Sequence, residues 1–144
     1  MALSDDGPYV TAAVLCERVL RDQDGLFTIV RTLDRIIRNW SGPLPGDSAV
    51  PPIDVRATAY VALTAGSARG RATLGLRVVK PSGEILLEKP FPVLFEMDER
   101  AAAVAVDLAF PGDQEGLWWI EIRLDGQLAT KIPLRLVDQR VSGG

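Results

Sequence analysis

Alternation of apolar and polar residues with a period of two is the feature that most restricts what this chain can fold into. In residues 53–64 every odd position is apolar, and most even positions are polar. Comparable alternation recurs in residues 72–78, 102–110, 117–124 and 128–136. Such a period places apolar side chains on one face of an extended strand and polar side chains on the other. The pattern therefore predicts half-buried β-strands along most of the chain.

Turn sequences separate these runs. "DG" at Asp125 and Gly126 is typical of a two-residue hairpin turn, because both of its central positions require positive φ. "KPSGE" at residues 80–84 and "FPGDQEG" at residues 110–116 are rich in turn-forming residues. Seven or eight short strands spaced by such turns are typical of an all-β antiparallel β-sandwich of immunoglobulin-like character.

The first 38 residues allow two interpretations. "YVTAAVLCERVLR" and "LFTIVRTLDRIIR" flank "DQDG", which favours a hairpin of two strands with Gly25 in its turn. Parts of both flanks carry helix-forming residues with apolar spacing of three or four, so a partly helical structure remains an alternative. The β-branched and aromatic content of "LFTIVRTL" favours the strands.

The length of 144 residues fits one domain with one core. We expect flexible ends at residues 1–8 and 138–144. The segment 39–52, "NWSGPLPGDSAVPP", is rich in Pro, Gly and Ser and predicts a long loop.

Composition excludes several kinds of chemistry. The chain has no histidine and one cysteine, which removes histidine-based acid-base catalysis, histidine zinc sites and any intrachain disulfide. No phosphate-binding glycine motif is present. The net charge of −3 disfavours binding to nucleic acid, and no apolar stretch is long enough to span a membrane. We therefore expect a cytoplasmic protein with no catalytic residues, no metal and no cofactor.

Two chemical alternatives remain open. Carboxylates in three turns could bind Ca²⁺ if the turns converged, although acidic residues are common in solvated turns. These carboxylates are Asp22, Asp24, Glu96, Asp98, Glu99, Asp113 and Glu115. The thiol of Cys16 lies in an apolar run, which favours a buried and inert side chain. A nucleophilic thiolate would need a cationic neighbour, for which Arg18 or Arg31 are the candidates.

A polar cluster is predicted for the first hairpin. If its two strands pair, Glu17 lies near Arg31, Asp34 and Arg35. This group would form either cross-strand ion pairs on a solvated face or a polar recognition patch.

The run "GLWWIEIRL" predicts a strand with its two tryptophans on opposite faces. Trp118 shares a face with Ile120 and Ile122 and should be buried, whereas Trp119 points outward. Aromatic residues and arginines dominate protein interface hot spots. The candidate interaction patch accordingly comprises Trp119, Leu117, Tyr60, Trp40 and Arg123.

The stretch "AAVLCERVLRDQDGLFTIVRTLDRI" resembles a group of small bacterial proteins that are classed only as a domain of unknown function. Their "LC(D/E)" step, glycine turn and "D-x-I" step, and their closing "G-x-aromatic…DG" hairpin, have counterparts here. The matching residues are Cys16, Glu17, Gly25, Leu26, Asp34, Ile36, Gly116, Trp118, Asp125 and Gly126. The resemblance implies an immunoglobulin-like β-sandwich and carries no activity with it.

The sequence thus favours a non-enzymatic binding or assembly module that acts through contacts with another protein or with further copies of itself. A calcium-binding or small-ligand-binding sandwich domain is the alternative. An enzyme that uses carboxylates or Cys16 is a third and weaker interpretation.

Overall fold

The computed structural model describes residues 7–41, 51–66, 70–95 and 101–141. These residues contain nine β-strands and no helix. The strands are β1 (Tyr9–Arg21), β2 (Phe27–Thr32), β3 (Arg35–Ser41), β4 (Ile53–Thr64), β5 (Gly70–Val79), β6 (Ile85–Phe95), β7 (Ala101–Gly112), β8 (Gly116–Leu124) and β9 (Gln127–Val141). The described part of the chain contains no helix with the length and apolarity needed to cross a membrane.

The strands form two sheets that pack face to face. One sheet has four strands in the order β2-β1-β4-β7, and the other has five in the order β3-β9-β8-β5-β6. Matching β1, β4 and β7 to strands A, B and E, and β5, β8 and β9 to C, F and G, reproduces the immunoglobulin arrangement, with β6 in the place of C′. The prediction of an all-β, immunoglobulin-like sandwich is confirmed.

The core lies between the sheets and comes from the inward positions of the alternating runs. Trp118 is fully buried, its ring centroid lies 5.4 Å from that of Phe110, and its Nε1 donates a hydrogen bond to the carbonyl of Gln114 at 2.9 Å. Other residues with no exposed surface include Val55, Val61, Leu63, Leu74, Leu76, Val78, Ile120, Ile122 and Leu134. The inward assignment of Trp118 is therefore confirmed.

The run "LFTIVRTLDRIIR" is two strands instead of the single strand predicted. Arg31 has a φ of 54°, and β2 ends one residue later at Thr32, although the Leu33 N–H still donates to the carbonyl of Leu15. The chain then crosses to the other sheet at Asp34, and β3 pairs in parallel with β9. This crossing explains why there are nine strands and why one pair is parallel. No part of the described segment is helical.

The predicted long loop at 39–52 and the predicted flexible C-terminus at 138–144 both overlap strands. Residues 39–41 belong to β3, and residues 138–141 belong to β9, so neither range begins as irregular chain. The flexibility expected at residues 138–144 stays a prediction, and residues 138–141 form the end of β9, which pairs with β3 up to Val141. Residues 1–6, 42–50 and 142–144 lie outside the described residues.

The β1-β2 hairpin bends back over the outer face of the four-stranded sheet. In β1, Val14 pairs with Tyr60 of β4, and Arg21, seven residues further along, pairs with Phe27 of β2. A straight strand would separate these two pairs by about 23 Å, at about 3.3 Å per residue. The rings of Phe27 and Tyr60 are nevertheless only 5.5 Å apart. The hairpin beyond Cys16 must therefore fold over the sheet.

Candidate functional site

The outer face of the five-stranded sheet carries the tryptophan that the sequence singles out. In β8, Trp118, Ile120 and Ile122 are fully buried, so the residues between them point away from the core. Trp119 is half-buried on this face, and Leu117 lies beside it. The outward assignment of Trp119 is confirmed.

Register places Trp119 in an apolar row that crosses four strands. Trp119 pairs with Pro133 of β9 on one side and with Val79 of β5 on the other, and Val79 pairs with Ile85 of β6. Directly paired residues lie about 4.5–5.5 Å apart, so the four side chains are neighbours. Pro133 is exposed, and Ile85 is 46 % exposed. We call Ile85, Val79, Trp119 and Pro133 the Trp119 row.

A row of alternating charges runs beside the Trp119 row. It consists of Glu88, Arg77, Glu121 and Lys131, in neighbouring strands. Arg77 Nε lies 3.1 Å from Glu88 Oε1, although its geometry makes no hydrogen bond. Lys131 Nζ lies 4.1 Å from the ring centroid of Trp119, a cation-π contact that covers part of the indole.

The structure does not unite all five residues of the predicted patch. Tyr60 belongs to the other sheet, on the opposite side of the sandwich, and its ring contacts Phe27. Arg123 lies on the same face as Trp119, but its guanidinium pairs with Glu121 at 3.1 Å and donates to the carbonyl of Gly126 at 2.9 Å. Arg123 thus holds the β8-β9 turn. The backbone of Trp40 lies in β3, and its side chain is outside the described residues.

Sequence reasoning missed the partners of Trp119. Val79 directly follows the inward Val78, so extending the alternation by one residue would have placed it on the outer face. Pro133 and Ile85 could not be located without the register. The outer face also carries Ile37, 45 % exposed, which pairs with Val137 near the β3 edge.

The predicted polar cluster separates into two ion pairs. Arg31 lies 3.4 Å from Glu17 across the first hairpin, and Arg35 lies 3.3 Å from Asp34 where the chain enters the other sheet. All four side chains are about half exposed or more, from 47 % to 78 %. The Glu17–Arg31 contact is a cross-strand ion pair of the hairpin, whereas Asp34 and Arg35 pair with each other where the chain passes from β2 to β3.

The acidic turns that the structure describes do not converge on a metal site. The carboxylate of Asp113 lies 2.8 Å from Lys80 Nζ, and this hydrogen bond is the main reason that the pKa of Lys80 is raised. Glu115 accepts the backbone N–H of Asp138, and Asp24 accepts that of Leu26 within its own turn. Among the residues that the structure describes, no group of three acidic or thiol side chains could hold a metal ion. Glu96, Asp98 and Glu99 lie outside them.

Depressions at this end of the sandwich are small or shallow. A polar cavity of about 40 Å³ lies beside Arg38 and Asp138, whose side chains form two hydrogen bonds of 2.7 and 3.1 Å. Ligand pockets usually enclose about 300–1,000 Å³. A groove of about 310 Å³ beside Pro52 and Pro111 is shallow and open to solvent. Neither has the enclosed, converging polar groups of a small-molecule site.

The thiol of Cys16 is buried, as predicted. Its Sγ donates to the carbonyl of Thr58 at 3.3 Å and lies 3.5 Å from that of Arg18. Burial raises the pKa of the thiol, and the hydrogen bond to the Arg18 backbone lowers it by less. A nucleophilic cysteine needs a depressed pKa and access to substrate. Cys16 has neither.

Comparison with known proteins finds structural similarity but no sequence relative. No protein-family model matches the sequence, and no curated protein is significantly similar to it. Among solved structures, the chain is similar to the Pseudomonas fluorescens alkylpurine DNA glycosylase AlkC bound to DNA containing an abasic site analog. That likeness has 8 % identity and a TM-score of 0.48, and it covers 87 % of this chain. The chain spans only 30 % of the glycosylase chain.

A second similar structure is an immunoglobulin-like protein from Pseudomonas aeruginosa. It has 11 % identity and a TM-score of 0.37, with 92 % of this chain and 98 % of that chain covered.

Proposed function

We propose that this protein is a non-enzymatic protein-binding module whose binding surface is the outer face of the five-stranded sheet, centred on Trp119. The observation that carries the proposal is the Trp119 row. Single exposed apolar residues are normal on protein surfaces. A row of four apolar residues in direct register on the outer side of a sheet, two exposed and two half-buried, is the kind of feature that marks an interaction surface.

The chemistry of the face suits a protein partner. Tryptophan is among the residues that supply most binding energy at the centre of protein interfaces, and charged residues usually surround that centre. Here the charged row lies along one side of the Trp119 row. The Lys131 side chain covers part of the indole, and a partner can displace it. The alternating charges would fix the orientation of the partner.

Other partner classes have less support. The net charge of −3 disfavours a phosphate backbone. Of the turn carboxylates that the structure describes, Asp113 pairs with Lys80, and Glu115 and Asp24 accept backbone N–H groups. Another protein is therefore the partner class that the outer face supports best.

The proposal is tested by affinity capture from extracts of the host organism. The bait variants are wild type, Trp119→Ala and Val79→Glu, which places a charge within the row. Leu26→Ala is the matched control, because Leu26 is an apolar side chain that is 65 % exposed in the first hairpin, away from the row. Far-UV circular dichroism checks that each variant is folded.

We expect a specific protein on wild type and Leu26→Ala, and at least about tenfold less of it on both row variants, a loss of about 1.4 kcal/mol or more. Equal capture by all four baits would contradict the proposal, and so would the absence of any specific protein on wild type.

A further inference from the structure

The β7 edge of the four-stranded sheet is long, regular and nearly uncharged. β7 pairs with β4 through twelve consecutive residues without a register shift, and in the described part of the chain no strand pairs with its other side. Its sequence, "AAAVAVDLAFPG", has one charged residue, Asp107. Such an edge presents a row of backbone groups to which another strand can pair.

Two observations show which backbone groups face this edge. The Thr58 carbonyl accepts a hydrogen bond from Cys16 of β1, so Thr58 directs its backbone groups towards β1 and away from β7. Its pair with Asp107 is then a non-hydrogen-bonded pair, and the Asp107 backbone points to the open side. Lys89 accordingly reaches the Asp107 carbonyl from β6, at 3.4 Å. Ala103, Ala105 and Ala109 share this orientation.

The other three edges carry features that oppose pairing. β6 contains Pro90 and Pro92, which cannot donate backbone hydrogen bonds. β2 has only six residues and ends next to Arg31 with its positive φ. β3 is short and begins with the exposed Arg35. Natural sheets use prolines, short strands and charges in this way to prevent unwanted pairing. Among the described residues, β7 has weaker features of this kind: Asp107, Pro111 next to its last residue, and the Lys89 contact, which is long and exposed.

We propose that β7 pairs in antiparallel orientation with β7 of a second copy. The two-fold axis lies between Ala105 of one copy and Ala105 of the other. The pairing would join two four-stranded sheets into one of eight strands. It uses a surface distinct from the Trp119 row, so it does not depend on the proposed function.

Side-chain pattern and charge favour a second copy as the occupant. A two-fold axis perpendicular to the sheet keeps the inward valines of both copies on the core side and the alanines of both on the outer side. β7 of a second copy has this side-chain pattern and the matching length. A register centred on Ala105 sets Asp107 opposite Ala103 of the other copy. The two Asp107 carboxylates, each accepting a hydrogen bond from its own Thr58, then avoid facing each other.

Ala105→Pro is the sharpest test. The Ala105 N–H points to the open edge, so proline removes a hydrogen bond of the proposed dimer while leaving the β4-β7 ladder complete. The two-fold axis makes the loss occur twice. Ala105→Val is the matched control, because valine adds a side chain on the same face and keeps the N–H. Light scattering of the full chain over a range of concentrations measures the mass.

We expect wild type and Ala105→Val to reach twice the chain mass of 15.6 kDa, and Ala105→Pro to remain at one chain mass. Trp119→Ala should keep the dimer, which separates this proposal from the preceding one. A wild type that is monomeric at every concentration would overturn the inference. So would a dimer that survives in Ala105→Pro, since it would use another surface.

Amide hydrogen exchange of the wild type needs no variant. If the dimer forms, the amides of Ala103, Ala105, Asp107 and Ala109 should exchange at least about tenfold more slowly at high than at low protein concentration. Concentration-independent exchange of these amides would contradict pairing between copies. Protection that appears only after another protein is added would show that a foreign strand occupies the edge, which also overturns the inference.

Discussion

Trp118 and Trp119 are adjacent and chemically identical, yet they lie in different environments, one in the core and one on the outer face. The period of two sends Trp118 into the core, where its ring packs on Phe110 and its indole N–H is satisfied by Gln114. Trp119 remains on the outer face beneath Lys131. The contrast arises from the backbone alone, since a strand alternates the faces of successive residues.

Replacing Trp118 by alanine should lower the free energy of unfolding by about 3–5 kcal/mol, because a large buried side chain is lost and the carbonyl of Gln114 loses its donor. Trp119→Ala should cost about 1 kcal/mol, since the indole is half-buried. Urea denaturation followed by far-UV circular dichroism measures both. Equal losses for the two variants would contradict the face assignment.

At the scale of elements, alternation was sufficient to predict strands but not their partners. The inward residues of β4, β5, β8 and β9 follow directly from the sequence. The break between β2 and β3 does not, because "TLDRI" keeps the composition of a strand and the positive φ of Arg31 falls on a residue that rarely adopts it. Parallel pairing of β3 with β9 joins segments about a hundred residues apart.

The candidate site shows the same limit. The outward positions of Leu117 and Trp119 could be predicted, whereas their neighbours Pro133 and Ile85 depend on cross-strand register, and a slip of one residue would reverse every face. The separation of Tyr60 from Trp119 depends on which sheet each strand joins.

The folded-back hairpin should control access to Cys16. Cys16 pairs with Thr58, an outer-face position, and yet both are buried, which the overlying hairpin explains. Phe27→Ala removes the contact with Tyr60 that holds the hairpin down, and it should raise the rate of Cys16 labelling by an aromatic disulfide reagent at least about fivefold under native conditions.

Leu26→Ala changes the same hairpin without this contact and should label at the wild-type rate. Because the pKa of the Cys16 thiol is raised and the thiolate is the reacting form, labelling of every variant should accelerate as pH increases above neutral. Identical rates for Phe27→Ala and wild type would show that the hairpin does not protect the thiol.

At the scale of the molecule, the two proposed surfaces lie on different sheets and are compatible. Pairing through β7 joins the two four-stranded sheets into one. The two-fold axis then places the five-stranded sheets of both copies on the same side of this joined sheet. A dimer would therefore present two Trp119 rows in the same direction. If one partner assembly has two matching sites, binding at the first row would make binding at the second row intramolecular. The overall affinity would then exceed that of a single row.

Contact between the two sheets depends on side chains, because none of the described strands pairs across from one sheet to the other. Their inward residues form one continuous apolar cluster, to which β1 and β4 to β9 all contribute fully buried or nearly buried residues. A single cluster of this kind in a chain of 144 residues should unfold in one cooperative transition.

We therefore expect the guanidinium unfolding curves from tryptophan fluorescence and from far-UV circular dichroism to coincide. Trp118 reports on the core, whereas circular dichroism reports on the strands of both sheets. Repeating the experiment with Trp119→Ala removes the outer-face indole from the signal and should leave the coincidence unchanged. A fluorescence transition at lower denaturant concentration than the dichroism transition would mean that the sheets separate before their strands unfold, and that the sandwich is not one cooperative unit.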